Sequence, residues 1–286
     1  MVLLLAGIST AREHENLSTN ILTPGGQPPV KGLYYTLGYG SSDTIKSYDI
    51  DGNRNPNGAL VNSNAVSNYF IWVPGWKLWG ANFAMRAAIP FVRMDMSRAG
   101  TREITTGMAD PMIIPASLNW NFSRANLMAE MSFFVPVGQY STSKTMANVG
   151  QDHWTISPRI GGTVYFDQAK TFTLSALMAY EYNLENGERK IEQGDQLWMQ
   201  FGLAKRFGPV QAGLYGYASW KLQEDKGDDV NPFNPMHDKD TVYAIGPEMN
   251  VKINSTTVTM KYLHEFGAEN RGTANTFRLS LGWKFF

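Results

Sequence analysis

The chain has no cysteine, and only 17% of its 286 residues are charged, against roughly a quarter in an ordinary soluble domain. It also lacks any apolar run approaching the ~20 residues of a spanning helix, which with a mean hydropathy of −0.28 excludes a helical membrane protein. Charge of one sign is missing too: 25 basic side chains face 25 acidic ones. Without a basic excess to neutralise phosphates, nucleic acid drops out as a partner. The absence of cysteine suits an oxidising compartment. Gly-rich phosphate loops and the G-x-S-x-G and H-E-x-x-H signatures are absent, so no cofactor and no metal are expected.

In place of charge the chain carries 13% aromatic residues and 27 glycines, with much Asn, Ser and Thr. Its last stretch, Ala274 to Phe286, alternates strictly: Phe277, Leu279, Leu281, Trp283 and Phe285 share one face, and Thr276, Arg278, Ser280, Gly282 and Lys284 the other. Side-chain period two makes this a strand with one greasy and one polar face. The same pattern recurs in about twelve segments: 32–43, 65–74, 80–95, 109–122, 125–138, 153–167, 170–185, 192–207, 209–224, 240–253, 256–267 and 273–286. Tight links at 74–76, 121–124, 167–169, 208–209 and 254–255 alternate with longer polar loops at 44–64, 96–108, 139–152, 186–191, 225–239 and 268–272. That asymmetry, with aromatics such as Trp76, Trp120, Phe166, Phe207 and Trp283 flanking the short turns, predicts an all-β, antiparallel up-and-down transmembrane barrel in a Gram-negative outer membrane.

Ahead of the barrel, residues 1–11 (Met-Val-Leu-Leu-Leu-Ala-Gly-Ile-Ser-Thr-Ala) resemble the back half of a secretory signal without its basic start; a short buried strand or a turn of helix is the alternative. Residues 12–31, with Pro24-Gly25-Gly26 and Pro28-Pro29, form an N-terminal lead segment, periplasmic or lumenal, and 32–286 form the barrel.

If the apolar stripes face lipid, the opposite faces line a lumen. Its ionisable residues are Arg86, Glu130, Arg159, Glu181, Arg206, Lys221, Glu248, Lys252, Lys261, Glu265, Arg278 and Lys284, eight basic and four acidic. Such a set tunes a polar pore toward anions or dipolar solutes, or pairs across the lumen to hold its shape. Tyr34, Tyr165, Trp198, Tyr215, Tyr217 and Leu263 would form greasy patches on the same face. Pro90, Pro111, Pro115, Pro136 and Pro158 fall in or beside the third to sixth segments. Proline removes a ladder donor, so this cluster would thin one side of the wall and open a lateral exit for an apolar solute; strand ends and rim bulges are the plainer explanation.

Three landmarks stand in order: Gly107-Met-Ala-Asp110-Pro111, Val135-Pro136-Val-Gly138-Gln-Tyr140, and Asn148-Val-Gly150-Gln-Asp-His-Trp154 before Pro158. With the terminal strand they resemble the outer-membrane channel family linked to the meta-cleavage pathway of phenol degradation. The resemblance implies a monomeric barrel of about twelve strands, in contact with lipid and lipopolysaccharide, that admits aromatic or other hydrophobic molecules by passive diffusion. Phe286 departs from the pattern, because the apolar stripe of the last strand ends on Phe285. A barrel lipase or acyltransferase would need a nucleophile beside a base, and the one suggestive pair is Asp152-His153; His14, His237 and His264 stand alone. A non-conducting structural barrel is the other alternative. Asp225, Asp228, Asp229, Asp238 and Asp240 share one loop at no recognised Ca²⁺ spacing and are read as solvated charge.

Overall fold

In the computed structural model the described residues are 30–98, 100–143, 147–227 and 238–286. The signal remnant 1–11, lead-segment residues 12–29, His14, His237, Asp228 and Asp229 lie outside them.

Strict alternation of large apolar and small or polar residues builds long strands: β1 (Gly32–Ser47), β2 (Leu60–Val73), β3 (Ala81–Arg98), β4 (Thr101–Met108), β5 (Met112–Asn121), β6 (Ala125–Phe134), β7 (Thr155–Tyr165), β8 (Phe172–Asn183), β9 (Gln196–Phe207), β10 (Val210–Lys221), β11 (Thr241–Ile253), β12 (Thr256–Glu269) and β13 (Gly272–Lys284). Twelve of them pair antiparallel in chain order, β3 skipping β4 to pair with β5, and β13 pairs back onto β1 from Tyr34↔Lys284 to Ser47↔Gly272. The twelve ring strands are thereby closed on one another. β4 stands outside the ring and pairs only with the far half of β3, Phe91↔Met108 to Arg98↔Thr101. The sequence reading of 96–108 as a loop is therefore corrected: β3 runs on to Arg98 and returns as a hairpin.

Tight links fall where turn-forming residues stand. Trp79 and Gly80 take φ of 49° and 77° to reverse β2 into β3, and Asn254 at φ 54° reverses β11 into β12; Gly and Asn occupy this left-handed region at least cost. At the β7–β8 turn the Asp167 carboxylate accepts the backbone N–H groups of Thr171 (2.8 Å) and Phe172 (2.9 Å) and the Thr171 hydroxyl.

Side chains sort by phase. Along β8, Leu174 and Met178 are 44% and 45% exposed on the outside, whereas Ser175 and Glu181 are fully buried inside. Tyr262 and Phe266 on β12 face outward, and Lys261, Leu263 and Glu265 inward. The outer surface is thus an apolar belt, and the polar atoms lie within. Near the short turns Tyr35 stacks with Trp283 (centroids 5.8 Å) and Phe285 (6.3 Å), as in an interfacial aromatic girdle. Phe285 N–H bonds to Leu33 O, and Phe286 lies past the end of β13, where no face constrains it.

Candidate lumen and lateral seam

Register brings the inward charges together. Glu130 on β6 is the direct partner of Arg159 on β7, and Arg86 on β3 reaches the same carboxylate from two strands away. The contacts are 3.3 Å from Arg159 and 3.4 Å from Arg86, with the Glu130 side chain 1% exposed. The guanidiniums also approach thioethers, Arg86 to Met128 Sδ at 3.5 Å and Arg159 to Met112 Sδ at 3.8 Å.

Across the barrel Glu248 and Lys261 are register partners 2.7 Å apart. The Lys261 ammonium also lies 3.6 Å from the Tyr215 ring centroid, and Tyr215 donates to Gln200 Oε1 at 2.9 Å. Higher up, Glu265 accepts from the Tyr217 hydroxyl and from Ala274 N–H (2.7 Å), while Arg271 spans Asp240 (3.5 Å) and Glu265 (3.8 Å). Lys221 pairs with Asp225 at 2.7 Å and donates to Asp238 O at 3.0 Å. Each charge is desolvated and each has an opposite partner, which is the condition for burying ions at all.

Asp225 and Asp240 are both buried, so reading them as solvated loop charge is corrected: they neutralise Lys221 and Arg271. Among the described residues no group of three or more His, Asp or Glu could hold a metal. The remaining sequence candidates separate. Glu181 is buried on the inner face of β8, and Arg278 is half-buried on β13. Arg206, Lys252 and Lys284 are exposed at the short-turn mouth, where Arg206 donates to Lys170 O at 2.6 Å.

Of the aromatic candidates, Trp198, Tyr215, Tyr217 and Leu263 pack with Val242 and Ala244 as one buried inner cluster, Trp198 and Tyr217 lying 5.5 Å apart. Tyr165 is buried near the short turns, its hydroxyl accepting from Asn126 Nδ2 at 2.6 Å. Tyr34 sits half-exposed at the mouth and donates to Val30 O.

The five prolines mark one side of the wall. Pro90 lies in β3, where its carbonyl takes the N–H of Ala109 rather than of a ring strand. Pro111 occupies the break between β4 and β5, and its carbonyl takes Val135 N–H at 2.9 Å. Pro115 sits at a register shift between Ile113 and Ala116 that breaks the β5–β6 ladder. Pro136 follows the end of β6, and Pro158 faces Met131 while the β7–β8 ladder skips from Ile156 to Arg159. Each lacks the N–H a ladder needs.

Above this break the ring has no ladder between β4 and β7 among the described residues. Isolated backbone bonds fill it: Gln139 N–H bonds to Met108 O (2.8 Å), and Gly150 N–H to Gln139 O (2.9 Å). Asp110, buried between β4 and β5, accepts Gly138 N–H at 2.9 Å on one oxygen and Gln151 N–H at 2.7 Å on the other. Behind this patch lies an uncharged inner cluster of Val61, Val92, Met94, Met96, Ala109, Ala147 and Val149.

The Asp152 carboxylate accepts Glu188 N–H at 2.9 Å, and buried His153 turns Nδ1 to the Gln151 carbonyl at 3.1 Å. His264 faces outward and meets Asn275 Oδ1 at 2.8 Å. The functions of Asp110, Arg271, Asp225 and Asp240 are missed by sequence reasoning; for Asp110 the signal was present, since it stands in a landmark.

Residues 45–281 match the model of a family described as the putative MetA-pathway of phenol degradation. No curated protein matches the chain. The fold is similar to that of an outer membrane channel from Pseudomonas putida F1, with TM-score 0.78 and 16% identity over 93% of this chain and 100% of that one. It is less similar to two autotransporter domains. The translocator domain of NalP from Neisseria meningitidis gives TM-score 0.53 and 12% identity over 94% of this chain and 91% of that one. The beta domain of Bordetella BrkA gives 0.55 and 11% over 90% and 100%.

Proposed function

Because the chain belongs to the family described as the putative MetA-pathway of phenol degradation, we propose that it is a passive outer-membrane channel for small hydrophobic or aromatic molecules, with a lateral exit at the proline-marked strands. The observation that carries this reading is that among the described residues no ladder joins β4 and β7, with an uncharged cluster that includes Met94 and Met96 directly behind that stretch. Methionine is flexible and polarisable, and packs against apolar or aromatic solutes of varied shape without specifying one. Buried ion pairs fill the facing side of the lumen and brace it against collapse, while Arg206, Lys252 and Lys284 give the short-turn mouth a basic surplus that favours anions or dipolar solutes. Lipid and lipopolysaccharide surround the apolar belt of a monomer in a Gram-negative outer membrane.

The test compares growth on a panel of aromatic and aliphatic compounds with and without the protein, beside conductance of the purified barrel in planar bilayers. Slower growth on the hydrophobic members together with measurable conductance is expected. Neither conductance nor a growth difference would leave a structural barrel. Ester hydrolysis abolished by His153→Ala would leave an enzyme.

A further inference from the structure

Four neighbouring strands set one row of inward side chains toward the long-loop end of the lumen. Ala179 on β8, Trp198 on β9, Ser219 on β10 and Val242 on β11 are register partners in turn. Gln196 stands one inward position nearer the long loops than Trp198, between its own register partners Glu181 and Lys221. Here the polar atoms are not matched as the ions are. Trp198 Nε1, Ser219 Oγ and Gln196 Oε1 each lack a hydrogen-bond partner among the described residues, although the three residues are only 1%, 0% and 3% exposed. A buried polar atom left unpaired costs free energy, so three of them on adjacent strands point to a guest that supplies the missing partners. Facing partners on neighbouring strands have Cβ atoms roughly 5 Å apart, which lets Trp198 and Ser219 reach one guest atom. The rest of the surroundings are apolar: the Tyr217 ring lies 5.5 Å from that of Trp198, and Ala179, Val242 and Leu263 belong to the same buried cluster.

We propose that this row is a binding subsite for neutral, hydroxylated aromatic molecules. The guest's hydroxyl oxygen accepts from Trp198 Nε1–H and from the Ser219 hydroxyl, its hydrogen is donated to Gln196 Oε1, and its ring lies against the Trp198–Tyr217 cluster. The subsite rests on the channel reading above for the guest's arrival. A hydroxyl is specified because it donates and accepts at one atom, whereas a carbonyl or an ether only accepts and would leave Gln196 Oε1 bare. A neutral guest is specified because Gln196 is flanked by side chains of opposite sign, Glu181 and Lys221, and Lys221 is already held by Asp225 at 2.7 Å. Trp198 thus has two roles, one for its ring and one for its N–H.

The test titrates the purified barrel calorimetrically with phenol, anisole and toluene, which share one ring and differ at its substituent. Uptake by detergent is common to every variant and cancels in the comparison. Trp198→Phe keeps a ring in the cluster and removes the N–H, so it should weaken phenol about tenfold and toluene by less than about twofold. Ser219→Ala should do the same, and because it deletes a hydroxyl without a partner it should not lower the urea midpoint. Gln196→Leu should weaken phenol about tenfold but leave anisole, which has no proton to give, within about twofold. Phenol affinity that is unaltered by Ser219→Ala, or that falls in step with toluene, overturns the subsite and leaves water as the partner of these atoms, whether or not Trp198→Phe folds. Wild-type barrel that binds phenol in this pattern but gives neither conductance nor a growth difference keeps the subsite and overturns the channel reading instead.

Discussion

Replacing Glu130 by glutamine removes the carboxylate that lies between two guanidinium groups inside the barrel. At 3.3 and 3.4 Å and an effective dielectric near 20, each attraction amounts to about 5 kcal/mol before desolvation. Desolvation has already been spent on all three ions, and the neutral amide cannot offset it, so Glu130→Gln should destabilise the folded barrel by about 3–5 kcal/mol. Arg86→Met should cost less, about 1–2 kcal/mol, because it leaves Glu130 and Arg159 as a one-to-one pair and puts a thioether beside Met128. The ordering of the two variants is the discriminating quantity. Urea unfolding in phosphocholine vesicles, followed by tryptophan fluorescence, measures both. A Glu130→Gln barrel within about 0.5 kcal/mol of wild type would refute the reasoning, since surface substitutions fall in that range. An Arg86→Met variant less stable than Glu130→Gln would refute it equally.

Gly150→Ala puts a methyl 2.6 Å from the Gly138 carbonyl carbon and should cost about 2 kcal/mol in the same unfolding assay, with no loss if the two backbones are in fact apart. At the β7–β8 turn the Thr171 hydroxyl and the Phe172 and Thr171 N–H groups hold the Asp167 carboxyl well below its ordinary range. Its contribution is therefore complete above the ordinary carboxylate value of about 4 and lost as pH falls through the depressed folded value. Asp167→Asn should lower the urea midpoint at pH 7, with the gap to wild type narrowing from about pH 4 downward; a gap independent of pH would contradict this. Valine at Pro111, Pro115 and Pro136 restores the missing ladder donors and should reduce entry of hydrophobic substrates, whereas unaltered entry would rule out the side exit.

The ring was legible because burial imposes one rule on every strand crossing an apolar band: Leu174 and Met178 must alternate with Ser175 and Leu177, and a period-two pattern results. Where that rule lapses, so does the reading. β4 has Arg102 and Glu103 at opposite phases, with no greasy face to mark it, and is legible only through its pairing with β3. Alternation also tells that Arg86, Glu130 and Arg159 point inward, but not that they meet. Their encounter depends on the register shift beside Pro115 and on Ser117 leaving room across β5. Asp110 was visible as a landmark, yet its role depends on N–H groups 28 and 41 positions further on, in chain that follows no period.

The closure of β13 on β1 sets how the molecule is assembled. Every other ring pair joins strands consecutive around the wall, whereas Tyr34 must find Lys284, 250 positions away. By the (3/2)RT ln n relation that encounter costs roughly 5 kcal/mol of chain entropy, against about 0.6 kcal/mol for a two-residue turn. Hairpins can therefore form early and fast, while the first strand waits with one edge bare until the last is made. The slow step of folding is a rendezvous of chain ends, and substitutions at Tyr35, Leu37 or Leu281 should alter how fast the barrel forms more than how fast it comes apart.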